Sequence, residues 1–95
     1  MRVETKRSAR ARLRRIRGQV EGVERMIEAD RYCVDVLLQI AAVRAALDQL
    51  GKGILRGHVE TCLTDALASG GPRERARKID ELMDVFSRYA RIRGR

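Results

Sequence analysis

The chain has 95 residues, a formal net charge of +8, no Trp, one Phe and two Tyr. Good helix formers dominate and strand-forming residues are scarce, so these numbers fit one small all-α domain whose modest core would gain from a partner subunit. No apolar stretch approaches transmembrane length, none follows the basic N-terminus as in a signal peptide, and the two cysteines suggest reduced thiols, so we expect a cytoplasmic protein.

The first predicted helix covers about residues 5–30. Its apolar residues are spaced three and four apart, which indicates an amphipathic helix with a packing seam. These residues are Leu13, Ile16, Val20, Val23 and Ile27. We expect Leu13 and Ile16 to be buried.

The positive charge is concentrated at the two ends of the chain. Residues 1–17 hold eight Arg or Lys and one acid, and residues 88–95 hold four Arg and no acid, whereas residues 18–87 are slightly acidic. Such patches indicate either nucleic-acid binding or a solvated basic tail, and charge alone leaves both open. The arginines that the first helix would carry around its exposed arc are Arg7, Arg10, Arg12, Arg14, Arg15 and Arg17.

The second predicted helix covers about residues 32–68. Its apolar stripe, spaced four and three apart, consists of Val36, Ile40, Val43, Leu47, Leu50 and Ile54. Gly51, Gly53 and Gly57 could break this helix into a hairpin, since each costs about 1 kcal/mol inside a helix relative to Ala. Because the stripe continues through Ile54, we favour one long helix.

The stretch "ASGGP" is expected to end the second helix, because its glycines suit a C-terminal cap and Pro72 suits the first turn of the next helix. The third predicted helix covers about residues 73–90. It is expected to bury Ile79, Leu82, Phe86 and Tyr89. We predict a single domain over residues 1–95.

Three side chains of the kind that binds soft metals stand far apart in the sequence. His58, the only histidine, and Cys62 continue the stripe of the second helix, whereas the other cysteine, Cys33, lies 25 residues before His58. A continuous helix would separate Cys33 from His58 by roughly 37 Å, and a helix folded back at the glycines would leave the cysteines about 13 Å out of register. If the three act together, two antiparallel copies of the second helix must share them.

The chemistry of these donors is partly specific. Two thiolates and an imidazole suit Cu(I) or Zn(II), but structural zinc wants a fourth protein ligand that the sequence does not obviously offer. The alternative is that His58 and Cys62 only fill the core, because a buried cysteine often acts as a small apolar residue. A catalytic Cys–His pair is disfavoured, since no oxyanion donor or third polar partner accompanies it, and we expect no enzymatic activity.

The sequence "RLRRIRGQVEGVERMIEADRYCVDVLLQIAAVRAAL" resembles the first helix and the start of the second in the copper-sensitive operon repressors, the CsoR/RcnR-like regulators. "GHVETC" and, less closely, "IDELMD" extend the resemblance over about residues 12–84. The resemblance is specific, because "RGQVEG", "YCVDV" and "HVETC" stand in the family's order and at its separations.

This resemblance implies a three-helix, all-α protomer whose dimers are antiparallel four-helix bundles and pair into a disc-like tetramer, without a helix-turn-helix. It also implies a repressor that binds double-stranded operator DNA and dissociates when its inducer binds. The family's copper-sensor ligands match Cys33 of one subunit and His58 and Cys62 of the other. Tyr32 and Glu81 match outer residues that orient the imidazole.

The resemblance also matches Arg12 to an arginine of the first helix that contacts DNA. The other basic residues expected at the operator are Arg10, Arg14, Arg15, Arg17, Lys52 and Arg56. Gln49 stands where some copper sensors have a basic residue, and the cluster of Gly51, Gly53 and Gly57 is unusual, so the operator-facing surface of the second helix can differ from theirs.

Other branches of the family sense other inducers, and their ligand sets differ. Nickel and cobalt sensors recruit further histidines, whereas this chain has one. Formaldehyde sensors lack a cysteine at the position of Cys62 and use an N-terminal proline where this chain has Arg2, and persulfide sensors lack the histidine. The Cys-His-Cys set therefore favours Cu(I) as the inducer and copper resistance or efflux genes as the targets.

Two other classes of protein compete with a ligand-responsive repressor. A copper carrier or buffer would have no use for the twelve positive side chains in the two terminal patches. A constitutive architectural DNA protein, with the cysteines as core filler, would keep its DNA when metal is added.

Overall fold

A computed structural model of the chain describes the backbone of residues 1–94 and the side chains of residues 1–61, 64–65 and 67–88. The helices are α1 (Val3–Glu28), α2 (Cys33–His58), a π-helical turn (Val59–Leu63), α3 (Thr64–Ser69) and α4 (Pro72–Gly94). The backbone of residues 1–94 contains no strand, so the all-α prediction is confirmed. Within the described residues, no helix is both long and apolar enough to cross a membrane.

The end of α1 is fixed by two backbone hydrogen bonds that close a Schellman motif. The N–H of Arg31 donates to the carbonyl of Met26 at 3.0 Å, and the N–H of Asp30 donates to the carbonyl of Ile27 at 3.1 Å. This arrangement places Asp30 in the left-handed region, at φ 53°. A residue in that conformation cannot continue a right-handed helix, so the chain turns here before α2 begins.

The chain forms two compact units, which are residues 2–55 and residues 56–95 with Met1. In the first unit, Gln19 and Met26 of α1 and Gln39 of α2 line one cleft. Ile16 of α1 is buried, at 5 % exposure, but Leu13 is 47 % exposed. The expected burial of Leu13 is therefore wrong for a single chain, in which this part of the apolar face of α1 stays in contact with solvent.

α2 runs unbroken through Gly51, Gly53 and Gly57, so the prediction of one long helix rather than a hairpin is confirmed. The π-helical turn and α3 continue it directly to Ser69. His58 and Cys62 are four residues apart, but Cys62 does not continue the stripe in regular α-helical register. The five residues after His58 form a wider turn, in which each backbone hydrogen bond closes one residue later than in an α-helix.

In the second unit, α4 packs against α3 and the π-helical turn. Leu82 of α4 is half-buried, but Ile79 and Phe86 are exposed, Phe86 at 57 %, so the expected burial of these two is wrong for one chain. The reason is length, since the six residues of α3 cannot cover the apolar face of the 23-residue α4. Tyr89, also expected in this core, lies outside the described side chains.

Candidate metal centre and nucleic-acid interface

His58 is the last residue of α2, and α4 supplies a carboxylate beside it. The Nε2 of His58 lies 4.0 Å from the Oε1 of Glu81, and the two side chains are 38 % and 54 % exposed. The packing of α4 against the π-helical turn places Glu81 here. A carboxylate that accepts a hydrogen bond from this ring nitrogen would orient the imidazole and leave Nδ1 available to a further partner, and 4.0 Å is slightly too long for that bond.

Cys62 lies in the π-helical turn four residues after His58, and its side chain lies outside the described ones. The turn carries two bonds to one carbonyl. The hydroxyl of Thr64 donates to the carbonyl oxygen of Val59 at 2.9 Å, and the backbone N–H of Thr64 reaches the same oxygen. Because an i→i+5 turn holds one residue more than an α turn, residues beyond it are rotated by about 100° from the α-helical register.

Cys33 is the first residue of α2, and it is an exposed free thiol. The carbonyl of Tyr32 accepts the N–H of Val36 at 3.2 Å, which is the first hydrogen bond of the helix, and the Tyr32 side chain is exposed. Cys33 and His58 are thus the first and last residues of one helix. The structure brings His58 and Glu81 together; among the side chains it describes, no three His, Cys, Asp or Glu residues are grouped for a metal ion.

The arginines expected at DNA lie on the exposed surface of α1. They are Arg10, Arg12, Arg14, Arg15 and Arg17. None of them forms an ion pair with a described acidic side chain. Unpaired guanidinium groups on a helix surface are free to contact phosphates without first breaking another contact.

The two basic residues expected at DNA on α2 differ from those of α1, because each has an acidic neighbour one turn away. The Nζ of Lys52 lies 3.6 Å from a carboxylate oxygen of Asp48, and the Nε of Arg56 lies 3.8 Å from one of Glu60. Both cations are exposed, although Asp48 is only 19 % exposed, and ion pairs at a protein surface stabilise it by less than about 1 kcal/mol. Both cations therefore remain available to a polyanion, at the small cost of leaving their carboxylates.

Sequence reasoning did not find the π-helical turn or the role of Thr64 in it. The only local signal is the pair of threonines, Thr61 and Thr64, in "HVETCLTD". Hydroxyl side chains compete for helix carbonyls and bend helices. That signal is weak, since Ser and Thr are common in ordinary helices as well.

The chain matches the model of the metal-sensitive transcriptional repressors over residues 5–88. It belongs to this family. The copper-sensing transcriptional repressor CsoR of Bacillus subtilis (strain 168) is 45 % identical to it over 80 residues, which are 84 % of this chain and 76 % of that protein. As a family member the chain is a transcriptional regulator and not an enzyme, and a repressor's role implies DNA binding.

Two solved structures of similar proteins share the fold of this metal-sensitive repressor. The copper-sensing repressor CsoR with Cu(I) from Geobacillus thermodenitrificans NG80-2 is 40 % identical, with a TM-score of 0.84 over 95 % of this chain and 91 % of that one. The nickel-responsive transcriptional regulator InrS is 37 % identical, with a TM-score of 0.75 over 87 % of this chain and 90 % of that one. Regulators named for different metals thus share this fold.

Proposed function

We propose that this chain is a Cu(I)-responsive repressor that binds operator DNA when metal-free and leaves it when Cu(I) binds. Cys33 of one subunit and His58 and Cys62 of another would hold the ion, and the released promoters would be those of copper resistance or efflux genes. The observation that carries the proposal is the approach of Glu81 Oε1 to within 4.0 Å of His58 Nε2, because a carboxylate at that nitrogen would orient the imidazole and leave Nδ1 for a metal ion.

The helical geometry of α2 is the reason for a site shared by two subunits. An unbroken helix from Cys33 to His58 rises about 1.5 Å per residue, so its two ends cannot hold one ion. A second, antiparallel α2 would bring Cys33 of one copy to His58 and Cys62 of the other. Two-fold symmetry then makes two equal sites in each dimer.

Exposed apolar side chains support the presence of partner subunits. Those of α1 and α2 include Val20, Ile27, Leu37, Leu38 and Leu47. A monomer that left so many large apolar residues in water would lose about 25 cal/mol for each Å² of apolar surface that a partner could cover. The exposure fits a four-helix-bundle dimer and, with two such dimers, a homotetramer.

The donor set favours Cu(I) among the inducers of the family. Two thiolates and an imidazole are soft ligands, and Cu(I) accepts three of them, whereas nickel sites usually recruit more nitrogen donors. The chain has a single histidine. The free, exposed thiol of Cys33 fits such a site, since a thiol must be accessible and must lose its proton to bind.

Glu81 and Tyr32 would act on the site without binding the metal. The Oε1 of Glu81 lies 4.0 Å from the Nε2 of His58, so a small side-chain movement would let it accept the Nε2–H, orient the ring and leave Nδ1 for the ion. Tyr32 adjoins Cys33 at the start of α2. Changes at these two residues should spare metal binding more than changes at the three ligands, and should impair the coupling to DNA.

A copper carrier or buffer protein is the alternative from another class. The five unpaired arginines on α1 disfavour it, because their positive charge attracts a polyanion and does not help to transfer a cation to another protein. A repressor that senses nickel, a persulfide or an aldehyde is the alternative within the family.

The test is an anaerobic Cu(I) titration of the protein bound to its own promoter DNA. We expect DNA release that is complete at about one Cu(I) per chain, and sulfur scatterers around the bound copper in X-ray absorption. Cys33→Ala and Cys62→Ala should retain DNA binding and lose the response to Cu(I). The control Ser87→Ala changes an exposed residue of α4 and should respond as the wild type does.

Two results would contradict the proposal. One is DNA that stays bound while Cu(I) is demonstrably bound to the protein. The other is a response to Ni(II), a persulfide or formaldehyde at concentrations at which Cu(I) has no effect, which would favour another branch of the family.

A further inference from the structure

We infer that Thr64 is a positioning residue of the proposed metal site. Its hydroxyl would hold the π-helical turn Val59–Leu63 and so set where Cys62 stands relative to His58. The inference rests on the proposed function, because it concerns the same ligands. It adds a residue that binds no metal and faces no ligand directly.

The hydrogen bond of Thr64 spans five residues, which is the spacing of the π-helical turn. Its hydroxyl donates to the carbonyl of Val59 at 2.9 Å. Ser69 makes the same kind of bond in α3, but its hydroxyl donates to the carbonyl of Asp65, four residues earlier, at 2.8 Å. The first bond is therefore specific to the wide turn, whereas the second fits an ordinary α-helix.

Thr61 gives independent support that the wide turn needs something to hold it. Its hydroxyl oxygen is buried and has no hydrogen-bond partner among the described residues. In a regular helix a threonine hydroxyl can bond the carbonyl four residues before it. A buried hydroxyl without a partner is destabilising, so the turn carries a local penalty that other contacts must offset.

Two contacts in the second unit can offset this penalty. One is the packing of α4 against the turn. The other is the pair of hydrogen bonds that the hydroxyl and the backbone N–H of Thr64 donate to the carbonyl of Val59. Without the hydroxyl, the backbone N–H alone would hold that carbonyl. A relaxation to α-helical bonding would then rotate the chain after the turn by about 100°.

Such a rotation matters because His58 precedes the turn and Cys62 lies within it. The relative placement of the two residues around the helix axis depends on the turn's register. If two ligands are correctly placed for only a fraction of the time, the apparent affinity for the metal is reduced to that fraction of its full value. Thr64 thus affects metal affinity through backbone geometry.

The test compares Thr64→Val, Thr64→Ser and Ser69→Ala in the full-length protein. We expect Thr64→Val to weaken Cu(I) binding about fivefold, the effect of one hydrogen bond, as measured by competition with a Cu(I) chelator. Thr64→Ser retains the hydroxyl and should restore the affinity to within about twofold. Ser69→Ala removes the matched bond outside the turn and should leave the affinity unchanged.

A second measurement needs no metal. Amide hydrogen exchange of residues 59–64 in the metal-free protein should be faster in Thr64→Val than in the wild type or in Ser69→Ala. Equal exchange in all three proteins, or equal Cu(I) affinity of Thr64→Val and Ser69→Ala, would overturn the inference. If the wild type binds no Cu(I), the proposed function fails, and the exchange experiment still decides whether Thr64 holds the turn.

Discussion

Asp30 adopts the left-handed backbone conformation, which is unfavourable for a residue with a side chain. It is the described non-glycine residue with a positive φ, 53°, and the hydrogen bonds of Arg31 to Met26 and of Asp30 to Ile27 hold it there. Aspartate tolerates the left-handed region better than most residues, yet glycine adopts it without steric cost. The sequence contains no glycine near this turn, so the position could not be recognised from a cap pattern.

We expect Asp30→Gly to raise the free energy of unfolding by about 0.5 kcal/mol, because relief of the left-handed strain exceeds the added freedom of the unfolded chain. Urea unfolding at a fixed protein concentration measures it, since an oligomer's stability depends on concentration. Asp30→Asn, which tolerates the same conformation, is the control and should change stability little. A less stable Asp30→Gly would mean that the Asp30 carboxylate makes a stabilising contact.

Helix α1 combines one buried apolar residue with a set of exposed arginines. Ile16 is buried, while Arg15 and Arg17, its two neighbours in sequence, are exposed and have no described acidic partner. Helical periodicity accounts for both, since neighbours in sequence point about 100° apart. Lys52 and Arg56 on α2 are paired with acids, so α1 should carry most of the phosphate contacts.

Arg12→Ala should weaken binding of the metal-free protein to operator DNA and lower its salt dependence. Each lost phosphate contact reduces the slope of log affinity against log salt by about 0.9, and a tetramer repeats the change in every subunit that touches DNA. Fluorescence anisotropy over a series of salt concentrations gives the slope. Arg77→Ala, which removes an exposed arginine of α4 that pairs with Glu74, is the control and should keep the wild-type slope. An unchanged slope for Arg12→Ala would remove α1 from the DNA interface.

The molecule as a whole exposes more large apolar surface than a stable monomer would. Leu37 and Leu38 of α2 and Phe86 of α4 are each more than half exposed. Among the described side chains, Ile16 is the apolar residue that is buried, at 5 % exposure. A single chain therefore lacks the core that its helices could build, and association would supply it.

Light scattering at micromolar concentration should give about four times the mass of one chain, as expected for a dimer of dimers. Leu38→Glu should reduce this mass and weaken Cu(I) binding together, because the proposed site needs two subunits. Val3→Glu changes an equally exposed apolar residue at the first position of α1, outside the packing seam, and should leave the mass unchanged. A compact, folded monomer that still binds Cu(I) would contradict both the assembly and the shared site.

Local patterns were sufficient to predict the two long helices α1 and α2. The three-and-four spacing of apolar residues predicted α1 and α2, and the continuous stripe through Ile54 correctly outweighed the glycine penalties. Both the apolar spacing and the continuous stripe involve residues that are close in sequence, so they can be read from the sequence of a single chain. The resemblance also selected Glu81, and the structure places its carboxylate beside His58.

Only the tertiary structure decided the burial of individual side chains and the register after His58. Leu13 and Phe86 lie on apolar faces, but whether they are buried depends on which helix covers them. The π-helical turn packs against α4 and is bonded by the hydroxyl of Thr64, and neither contact changes the periodicity of the sequence enough to be seen. The sequence by itself determined helices, charge and ligand chemistry, because these are local, while register and burial arise from contacts between distant residues.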